Sequence, residues 1–347
     1  MNPDADSQGL DLQQPKPSRA RRWLRRFFYL FAIAVCLAVA LWALVTQPLL
    51  GPVARVESKE VSAQRLLYHV QRIVAIQPRD FDHPEVLDRV AAYVRGELTS
   101  AGARVSDQPF PVSGRTYRNV CAEFGPATGE RIVVGAHYDV NRGTPGADDN
   151  ASGVAGLIEL AHALGRRAPP LCVELVAFSL EEPPNFGTPH MGSAVHARRL
   201  KEKGVSVRAM LCLEMIGYYS DEPGSQRLLV PGMELCYPSQ GNFIGVIGRF
   251  QDGRVTRQVK RAMRGVDRIG VHSINGPPSL VPQLAFSDHR NYWHEGYPAV
   301  MITDTSFFRT PHYHQPSDTP ETLDYDRMAA VVQGVLAAIE VLSEAVP

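Results

Sequence analysis

The spacing of hydrophobic positions changes along the chain between helical and extended periods. Apolar residues that recur every three or four positions predict helices over residues 62–74, 84–101, 152–164, 191–203, 242–263 and 325–345. Shorter apolar runs predict strands over residues 105–112, 116–124, 171–180, 207–216 and 297–303, and one from Ile132 that delivers His137. Because strands alternate with helices, we expect an α/β fold with a mostly parallel central sheet and helices on both faces.

The longest apolar run predicts a membrane span. Residues 27–46 carry no charge, and 20 such residues in a helix cross a hydrocarbon core of about 30 Å. Five arginines stand on the N-terminal side of this run, between residues 19 and 26, and predict a cytoplasmic N-terminus with a translocated remainder. A cleaved signal peptide is the alternative, but its apolar region is usually 7–15 residues long, and no clear small-x-small cleavage site follows here. The pattern therefore favours an uncleaved signal anchor.

These features predict four segments. Residues 1–26 are expected to be a disordered, basic cytoplasmic segment, and residues 27–46 the signal anchor. Residues 47–61 are expected to be a short linker, and residues 62–347 one large domain outside the cytoplasm. The chain would then be a single-pass membrane protein, with this domain in the periplasm if the cell has two membranes.

Composition narrows the class of partner and of covalent chemistry. The chain has 36 basic and 36 acidic residues, and no basic stripe with interleaved aromatic residues follows the N-terminal segment, so nothing indicates a nucleic-acid partner. Its five cysteines form no C-x-x-C pair. Cys121, Cys172 and Cys212 stand in apolar strand-like runs, which favours buried thiols.

Histidines and carboxylates stand where predicted strands end. His137 and Asp139 are two residues apart, so they project from the same face of a strand, and Asp148 follows a glycine- and proline-rich loop that can return it to the same place. Open α/β sheets bind ligands at the carboxyl ends of their strands. A turn that only caps the next helix would also explain the polar residues from Asp148 to Ser152.

Later strands end in the same way. Glu181 and Glu182 form an adjacent pair after one strand, where one carboxylate can bind a metal while the other moves a proton. Glu214 interrupts an apolar strand, and a buried carboxylate must be neutral, paired or coordinated. His314 follows the last strand. Because the carboxyl ends of parallel strands share one edge, we expect these nitrogen and oxygen ligands to meet and to suit zinc.

The ordered set of motifs resembles the co-catalytic di-zinc aminopeptidases, metallopeptidase family twenty-eight, over roughly residues 66–342. The motifs are GAHYDV, GADDNASG, FSLEE, LEMIGY, SDH and YHQPSDT. The resemblance implies a membrane-anchored zinc exopeptidase that removes N-terminal residues from peptides. It implies two zinc ions, with the ligands His137 and Glu214 on one and Glu182 and His314 on the other, bridged by Asp148.

The resemblance also implies roles for residues around the metals. Glu181 would be the general base that activates the attacking water, and Asp139 would orient the imidazole of the first histidine. Tyr313 would stabilise the tetrahedral intermediate or serve only in packing. Asp288 and His289, in the SDH motif, would lie in the pocket or behind the ligands.

One ligand position departs from the family, because Glu214 stands where better-known members have aspartate. Because the glutamate side chain is longer by one methylene group, two alternatives stay open: a pair of zinc ions, or a single ion on the side of Glu182 and His314. Three other functions of the same fold remain open. They are a glutaminyl-peptide cyclase with one zinc ion, a carboxypeptidase or dipeptidase, and a binding ectodomain without catalysis. The absence of a G-x-S-x-G motif gives no support to a serine hydrolase.

Overall fold

The computed structural model of the chain describes residues 19–56 and 60–344. The predictions for residues 1–18, for residues 57–59 of the linker and for residue 345 of the last helix lie outside these ranges. Contacts between Cα atoms divide the chain into two units, Met1–Ala43 and Leu44–Pro347. The domain boundaries derived from the sequence stay predictions.

The first helix, α1 (Arg19–Thr46), contains the predicted membrane span and begins eight residues earlier, at Arg19. Its apolar side chains are exposed along its whole length, and none of its residues is buried. Among the described residues it is the one helix that is long and apolar enough to cross a membrane. A membrane anchor and a signal sequence both have these properties.

One mixed sheet of eight strands organises the larger unit. The strands are β1 (Arg104–Val112), β2 (Arg115–Phe124), β3 (Arg131–His137), β4 (Cys172–Phe178), β5 (Val207–Leu213), β6 (Phe243–Gly248), β7 (Gly270–Asn275) and β8 (Ala299–Thr303). Their order across the sheet is β1-β2-β4-β3-β5-β8-β6-β7. The four central strands β4, β3, β5 and β8 are parallel, whereas β2 runs antiparallel to β4 and β6 runs antiparallel to β8. The predicted parallel arrangement is thus confirmed for the centre of the sheet.

Helices cover both faces of this sheet. They are α2 (Ala63–Val74), α3 (Pro84–Ser100), α4 (Gly153–Arg166), α5 (Gly192–Glu202), α6 (Gly253–Met263), α7 (His289–His294) and α8 (Tyr325–Ser343). Side chains of α2, α3, α4, α6 and α8 form one core, and those of α5 and α7 form a second core on the opposite face. In β3, Ile132 and Val134 belong to the first core and Val133 to the second, which explains why this strand is buried at every position.

The helix predicted over residues 242–263 is wrong in its first half. Residues Phe243–Gly248 form β6, and the helix α6 begins only at Gly253. The sequence FIGVIG is buried at every position, so it carries neither period and its apolar residues merge with those of the following helix. Strand β7, which pairs with β6, was not predicted either.

Residues 47–56 of the predicted linker, residues 47–61, pack along α6 and the turn that follows it. Lys260 Nζ donates a hydrogen bond of 2.8 Å to the carbonyl oxygen of Thr46, and Arg261 donates one of 2.7 Å to the carbonyl oxygen of Leu50. These contacts satisfy backbone oxygens that would otherwise need water. The segment that leaves the end of α1 is therefore held on the surface of the larger unit.

Candidate metal centre

The parallel strands bring the predicted ligands to one edge of the sheet. His137 is the last residue of β3, and Glu214 follows the last residue of β5. Glu182 lies four residues beyond the end of β4, and His314 comes from the loop between β8 and α8. All of these ends point the same way, because β4, β3, β5 and β8 are mutually parallel.

Two clusters of possible metal ligands share one carboxylate. In the first, His137 Nε2 lies 3.3 Å from Asp149 Oδ1 and 3.5 Å from Glu214 Oε2. In the second, His314 Nε2 lies 3.3 Å from Asp149 Oδ2 and 3.3 Å from Glu182 Oε1. Asp149 thus turns one carboxylate oxygen towards each histidine, as a ligand that bridges two cations would.

This shared carboxylate belongs to Asp149 and not to Asp148, which the resemblance had put at the bridge. The carboxylate of Asp148 instead accepts a hydrogen bond of 2.9 Å from the backbone N–H of Gly217 and lies beside Asp304. Burial and the neighbouring carboxylate of Asp304 raise the pKa of Asp148 well above its usual range. Asp148 therefore supports the loop from behind, and its neighbour Asp149 occupies the position between the two histidines.

The backbone of the loop explains the exchange. Residues 147–152 do not form a regular helix, because Asp149 and Asn150 have φ/ψ angles of −103°/90° and −132°/41°. The Asn150 side chain fixes the loop, since its Nδ2 donates a hydrogen bond of 2.8 Å to the carbonyl oxygen of Leu213. Gly146 enters the loop with φ of +63°, and a Cβ atom there would come within 2.4 Å of the Asp149 carbonyl oxygen.

Two buried aspartates hold the backbone beneath the ligands. The carboxylate oxygens of Asp139 each accept a hydrogen bond of 3.1 Å, one from the backbone N–H of Glu181 and one from that of Glu182. Asp318 does the same for the other acidic pair, and accepts bonds of 2.9 and 3.1 Å from the backbone N–H groups of Asp148 and Asp149. Each acidic pair is thereby fixed through its main chain, and its side chains stay available for the centre.

Asp139 also lies beside the first histidine, as predicted. His137 Nδ1 is 3.1 Å from the Asp139 carbonyl oxygen and 3.6 Å from its carboxylate. A proton on Nδ1 is therefore held by an acceptor, and Nε2 is left to bind a metal.

A fully buried arginine, Arg79, holds the loop that follows β3. Its guanidinium group donates hydrogen bonds to the carbonyl oxygens of Tyr138 at 3.1 Å and of Pro145 and Gly146 at 2.5 Å each. Burial lowers the pKa of Arg79 to about 10, although the nearby carboxylates of the centre oppose this effect. Arg79 remains a cation at neutral pH and places positive charge behind the acidic residues.

The electrostatics of the centre favour bound cations. Burial raises the pKa of Glu181 well above its usual range, and the carboxylate of Glu214 adds to this effect while His137 opposes it. Burial and the Asp149 carboxylate raise the pKa of Glu182 to about 7. Carboxylates that crowd together in a buried site retain their charges most easily when a metal ion neutralises them.

The donors present fit zinc. Two imidazole nitrogens and three carboxylates form the two clusters, and each cluster offers three ligand atoms within 4.8 Å of one another. His137 Nε2 and Glu182 Oε1 are buried, and in the described part of the chain neither has a hydrogen-bond partner other than another candidate ligand, as expected of atoms reserved for an ion. Glu181 belongs to neither set, and its Oε2 lies 3.9 Å from His137 Nε2.

The SDH motif contributes its serine to the centre more directly than the two residues named from the sequence. Ser287 Oγ donates a hydrogen bond of 2.5 Å to Glu214 Oε2 and so orients that ligand. Asp288 is fully buried, its carboxylate lies beside Ser193, and it is close enough to feel the charges of His137 and Glu214. His289 Nε2 bonds to the Leu284 carbonyl oxygen at 2.8 Å and belongs to neither ligand cluster.

Two residues constrain the ring of His314. The ring of Tyr313 stacks on it, with centroids 3.8 Å apart and an interplanar angle of 18°. On the far side, the amide nitrogen of Asn141 lies 2.5 Å from Nδ1 of the imidazole. When Nε2 binds a metal, Nδ1 carries the ring proton, and Asn141 meets it with the amide oxygen after a half-turn of the amide.

An apolar cavity of about 380 Å³ opens from the centre. Its polar end includes Asp149, Glu181 and His314, and its walls are mostly aliphatic and aromatic side chains. Three strands provide one wall through residues that share a face, namely Phe243, Gly245 and Ile247 of β6, His272 and Ile274 of β7, and Met301 and Thr303 of β8. The volume lies within the usual range of small-molecule sites, roughly 300–1,000 Å³.

The sequence identified most of these positions and missed five. The structure brings together His137, Glu181, Glu182, Glu214 and His314 as expected. It adds Asp149 in place of Asp148, together with Asp318, Arg79, Asn141 and Ser287 as supporting residues. Asp318 and Ser287 stand inside the motifs YHQPSDT and SDH, which was the available signal, whereas no pattern marked Arg79 or Asn141.

Comparison with known sequences agrees with this geometry. The family model described as Peptidase family M28 matches residues 119–339. The uncharacterized protein YfbL of Escherichia coli is 47% identical over 272 residues, which cover 76% of this chain and 83% of that protein. Leucine aminopeptidase 1 of Fusarium vanettenii is 25% identical over 294 residues, 78% of this chain and 68% of the relative.

Solved structures share the fold. LapB of Legionella pneumophila superposes with a TM-score of 0.66 at 19% identity, over 82% of this chain and 72% of LapB. The glutaminyl cyclase of Porphyromonas gingivalis gives a TM-score of 0.63 at 20% identity, over 82% of this chain and 99% of the cyclase. The resemblance seen in the motifs is thereby confirmed. Because the family model spans more than half of the chain and a relative at 47% identity spans three quarters of it, the chain belongs to peptidase family M28.

Proposed function

We propose that the protein is a zinc-dependent aminopeptidase that hydrolyses the first bond of peptides with an apolar N-terminal residue. The observation that carries the proposal is the position of the Asp149 carboxylate between two histidines, each beside a glutamate. Membership of the peptidase family and the similarity to a leucine aminopeptidase support peptide hydrolysis.

The proposed ligands fall into two sets. His137, Asp149 and Glu214 would hold one zinc ion, and Asp149, Glu182 and His314 would hold the second. Zinc supplies Lewis acidity, which polarises a scissile carbonyl group and lowers the pKa of an attacking water. The longer side chain of glutamate at position 214 still brings an oxygen to 3.5 Å from His137 Nε2, which supports the first set.

Glu181 has the position required of the general base. Its carboxylate lines the cavity beside both ligand sets but belongs to neither, so it is left to take a proton. In the proposed reaction the carboxylate accepts the proton of the attacking water and delivers it to the leaving amine. Asp139 holds the Glu181 backbone, which fixes the distance of the carboxylate from the ligands.

A glutaminyl-peptide cyclase is the second candidate, because a solved cyclase shares the fold. The family resemblance implies that a cyclase of this fold would use one zinc ion. The two complete ligand sets that share Asp149 favour hydrolysis with two ions.

The proposed location of the catalytic domain remains the outer side of the membrane, with α1 as the anchor.

The deciding assay compares peptides with free and blocked ends on the full-length protein in detergent. We expect zinc-dependent release of the N-terminal residue from a free peptide such as Leu-Ala-Ala, loss of release after acetylation of the amino group, and no effect of amidation. Cleavage that requires a free carboxyl group would instead indicate a carboxypeptidase. Conversion of an N-terminal glutaminyl peptide to pyroglutamate would indicate a cyclase.

Replacement of the proposed base, Glu181→Gln, removes the proton acceptor and keeps the side-chain volume. We expect kcat to fall by at least about 10²-fold while the zinc content remains that of the wild type. Zinc per chain is measured by elemental analysis and turnover with a chromogenic leucine substrate. A variant with full zinc content and near wild-type kcat would exclude Glu181 from this role.

The cavity wall makes a prediction about the substrate side chain. Gly245 lies between Thr303 and His272 on adjacent strands, and a Cβ atom there comes no closer than 3.3 Å to its neighbours. This contact is tight but is not a clash, so Gly245→Val should reduce the room for the substrate, and circular dichroism checks that the variant folds. We expect kcat/KM for leucine and phenylalanine substrates to fall about tenfold more than for an alanine substrate. An equal loss for all three would show that this wall does not receive the substrate side chain.

The contact between Asn141 and His314 predicts an effect on metal affinity. Asn141→Leu removes the acceptor for the Nδ1 proton, so we expect about 10–100-fold weaker zinc binding at the ligand set that contains His314. Asn141→Asp retains an acceptor and serves as the matched control. Zinc content is measured at fixed free zinc in a chelator buffer. Equal retention by Asn141→Leu and the wild type would contradict the prediction.

A further inference from the structure

A separate group of potential ligands lies among three helices, outside the metal centre. His69 of α2, Glu97 of α3 and His162 of α4 each offer one ligand atom, and these atoms lie within 4.8 Å of one another. None of the three residues lines the cavity or belongs to a motif used above. Two imidazoles and a carboxylate are a ligand set that suits zinc.

The packing of α2 against α4 fixes the two histidines in register. Arg65 of α2 and Glu159 of α4 form an ion pair with an Nε–Oε1 distance of 2.7 Å, and the Glu159 side chain is fully buried. His69 follows Arg65 by four residues, and His162 follows Glu159 by three, so each stands on the same helix face one turn later. The ion pair therefore brings the two imidazoles opposite each other.

The hydrogen-bond partner of His69 leaves the other ring nitrogen available to bind a metal. Its Nδ1 lies 2.8 Å from the hydroxyl group of Tyr93, which can accept the ring proton and leave Nε2 as the ligand atom. Burial lowers the pKa of His69 to about 4, so the ring is neutral at physiological pH. Tyr93 and Glu97 are one turn apart on α3, so one helix supplies both the orienting group and the carboxylate.

The third ligand has no fixed cation and can be reached from solvent. Glu97 Oε2 lies 3.9 Å from His162 Nε2, and among the described residues no lysine or arginine stands within ion-pair distance of the Glu97 carboxylate. The side chains of His162 and Glu97 are 28% and 27% exposed. An ion can therefore enter and keep water in its remaining coordination positions.

Another cluster of potential ligands, Cys121 with Glu174 and His196, differs because its carboxylate and its imidazole already have partners in the protein. Arg131 donates a hydrogen bond of 2.8 Å to Glu174, and His196 contacts both Glu174 at 3.2 Å and the hydroxyl group of Tyr292 at 2.7 Å. Those partners already neutralise the carboxylate and occupy both imidazole nitrogens. Within residues 19–56 and 60–344, no lysine or arginine pairs with the Glu97 carboxylate in this way, and this difference distinguishes the group of His69 and His162.

We propose that His69, Glu97 and His162 bind an additional divalent zinc ion that joins α2, α3 and α4. The ion would add a cross-link to three helices that are also joined by side-chain packing, by the Arg65–Glu159 ion pair and by the His69–Tyr93 hydrogen bond. Since α2 also packs on residues 147–152, the site would stabilise the support of the loop that carries Asp149. The proposal does not depend on the peptidase activity.

The test uses the full-length chain in detergent, with His137→Ala and His314→Ala to remove both histidines of the main centre. We expect this background to bind one equivalent of zinc from a chelator buffer, by elemental analysis. We also expect its Tm to rise by about 5 °C at a zinc concentration of about 100 Kd. Addition of His162→Ala or Glu97→Gln should abolish both effects. His294→Ala, which removes an exposed histidine outside these clusters, should leave both unchanged.

The same measurement in the wild-type background guards against misfolding of the double variant. There, His162→Ala should lower the zinc content by one equivalent and leave the hydrolysis of a leucine substrate intact. Absence of zinc binding in the double variant, or equal zinc content with and without His162→Ala, would overturn the proposal.

Discussion

Mutual repulsion among buried carboxylates is the constraint on which this structure depends. Asp149, Glu181, Glu182 and Glu214 are all buried at one edge of the sheet, within a few ångströms of two histidines. Such a group is costly to bury without compensating positive charge. Arg79 supplies one fixed cation from behind, and under the proposed function zinc bound by the candidate ligands supplies the remaining positive charge.

The fold meets this constraint by holding the backbone of the acidic residues with hydrogen bonds, and it leaves their side chains available. Asp139 and Asp318 are each bonded to two consecutive backbone N–H groups, and Asn150 ties the same loop to β5. Hydrogen bonds to an ionised acceptor are stronger than neutral ones, so these contacts resist the repulsion directly. Three residues next to the ligands or among them also take positive φ angles without being glycine, namely Leu180, Met215 and His314. Strained backbone of this kind persists only where the surroundings enforce it.

The sequence alone predicted the parallel centre of the sheet and most of the proposed ligands, because strand ends and acidic pairs leave a local signal. Residues such as His137 and Glu214 stand at fixed offsets from apolar runs, and the direction of the strands then brings them together. The choice between Asp148 and Asp149 has no such signal, since it depends on φ/ψ angles within an irregular loop. Arg79 and Asn141 could not be found for a related reason. Their partners are backbone carbonyls and an imidazole far along the chain, so the contacts exist only in the folded molecule.

The order of the ligand-bearing segments and the cavity lining along the chain has an evolutionary consequence. Three of the ligand-bearing segments follow β3, β4 and β5, whereas most of the cavity lining comes from residues 226–314, that is from β6, β7, β8 and the loops around them, far later in the sequence. Under the proposed function, bond cleavage and the choice of substrate side chain are therefore encoded in largely separate stretches of the chain. Mutations could diversify the second stretch while the first stayed under strict selection, so relatives of this protein can acquire new preferences without rebuilding the chemistry.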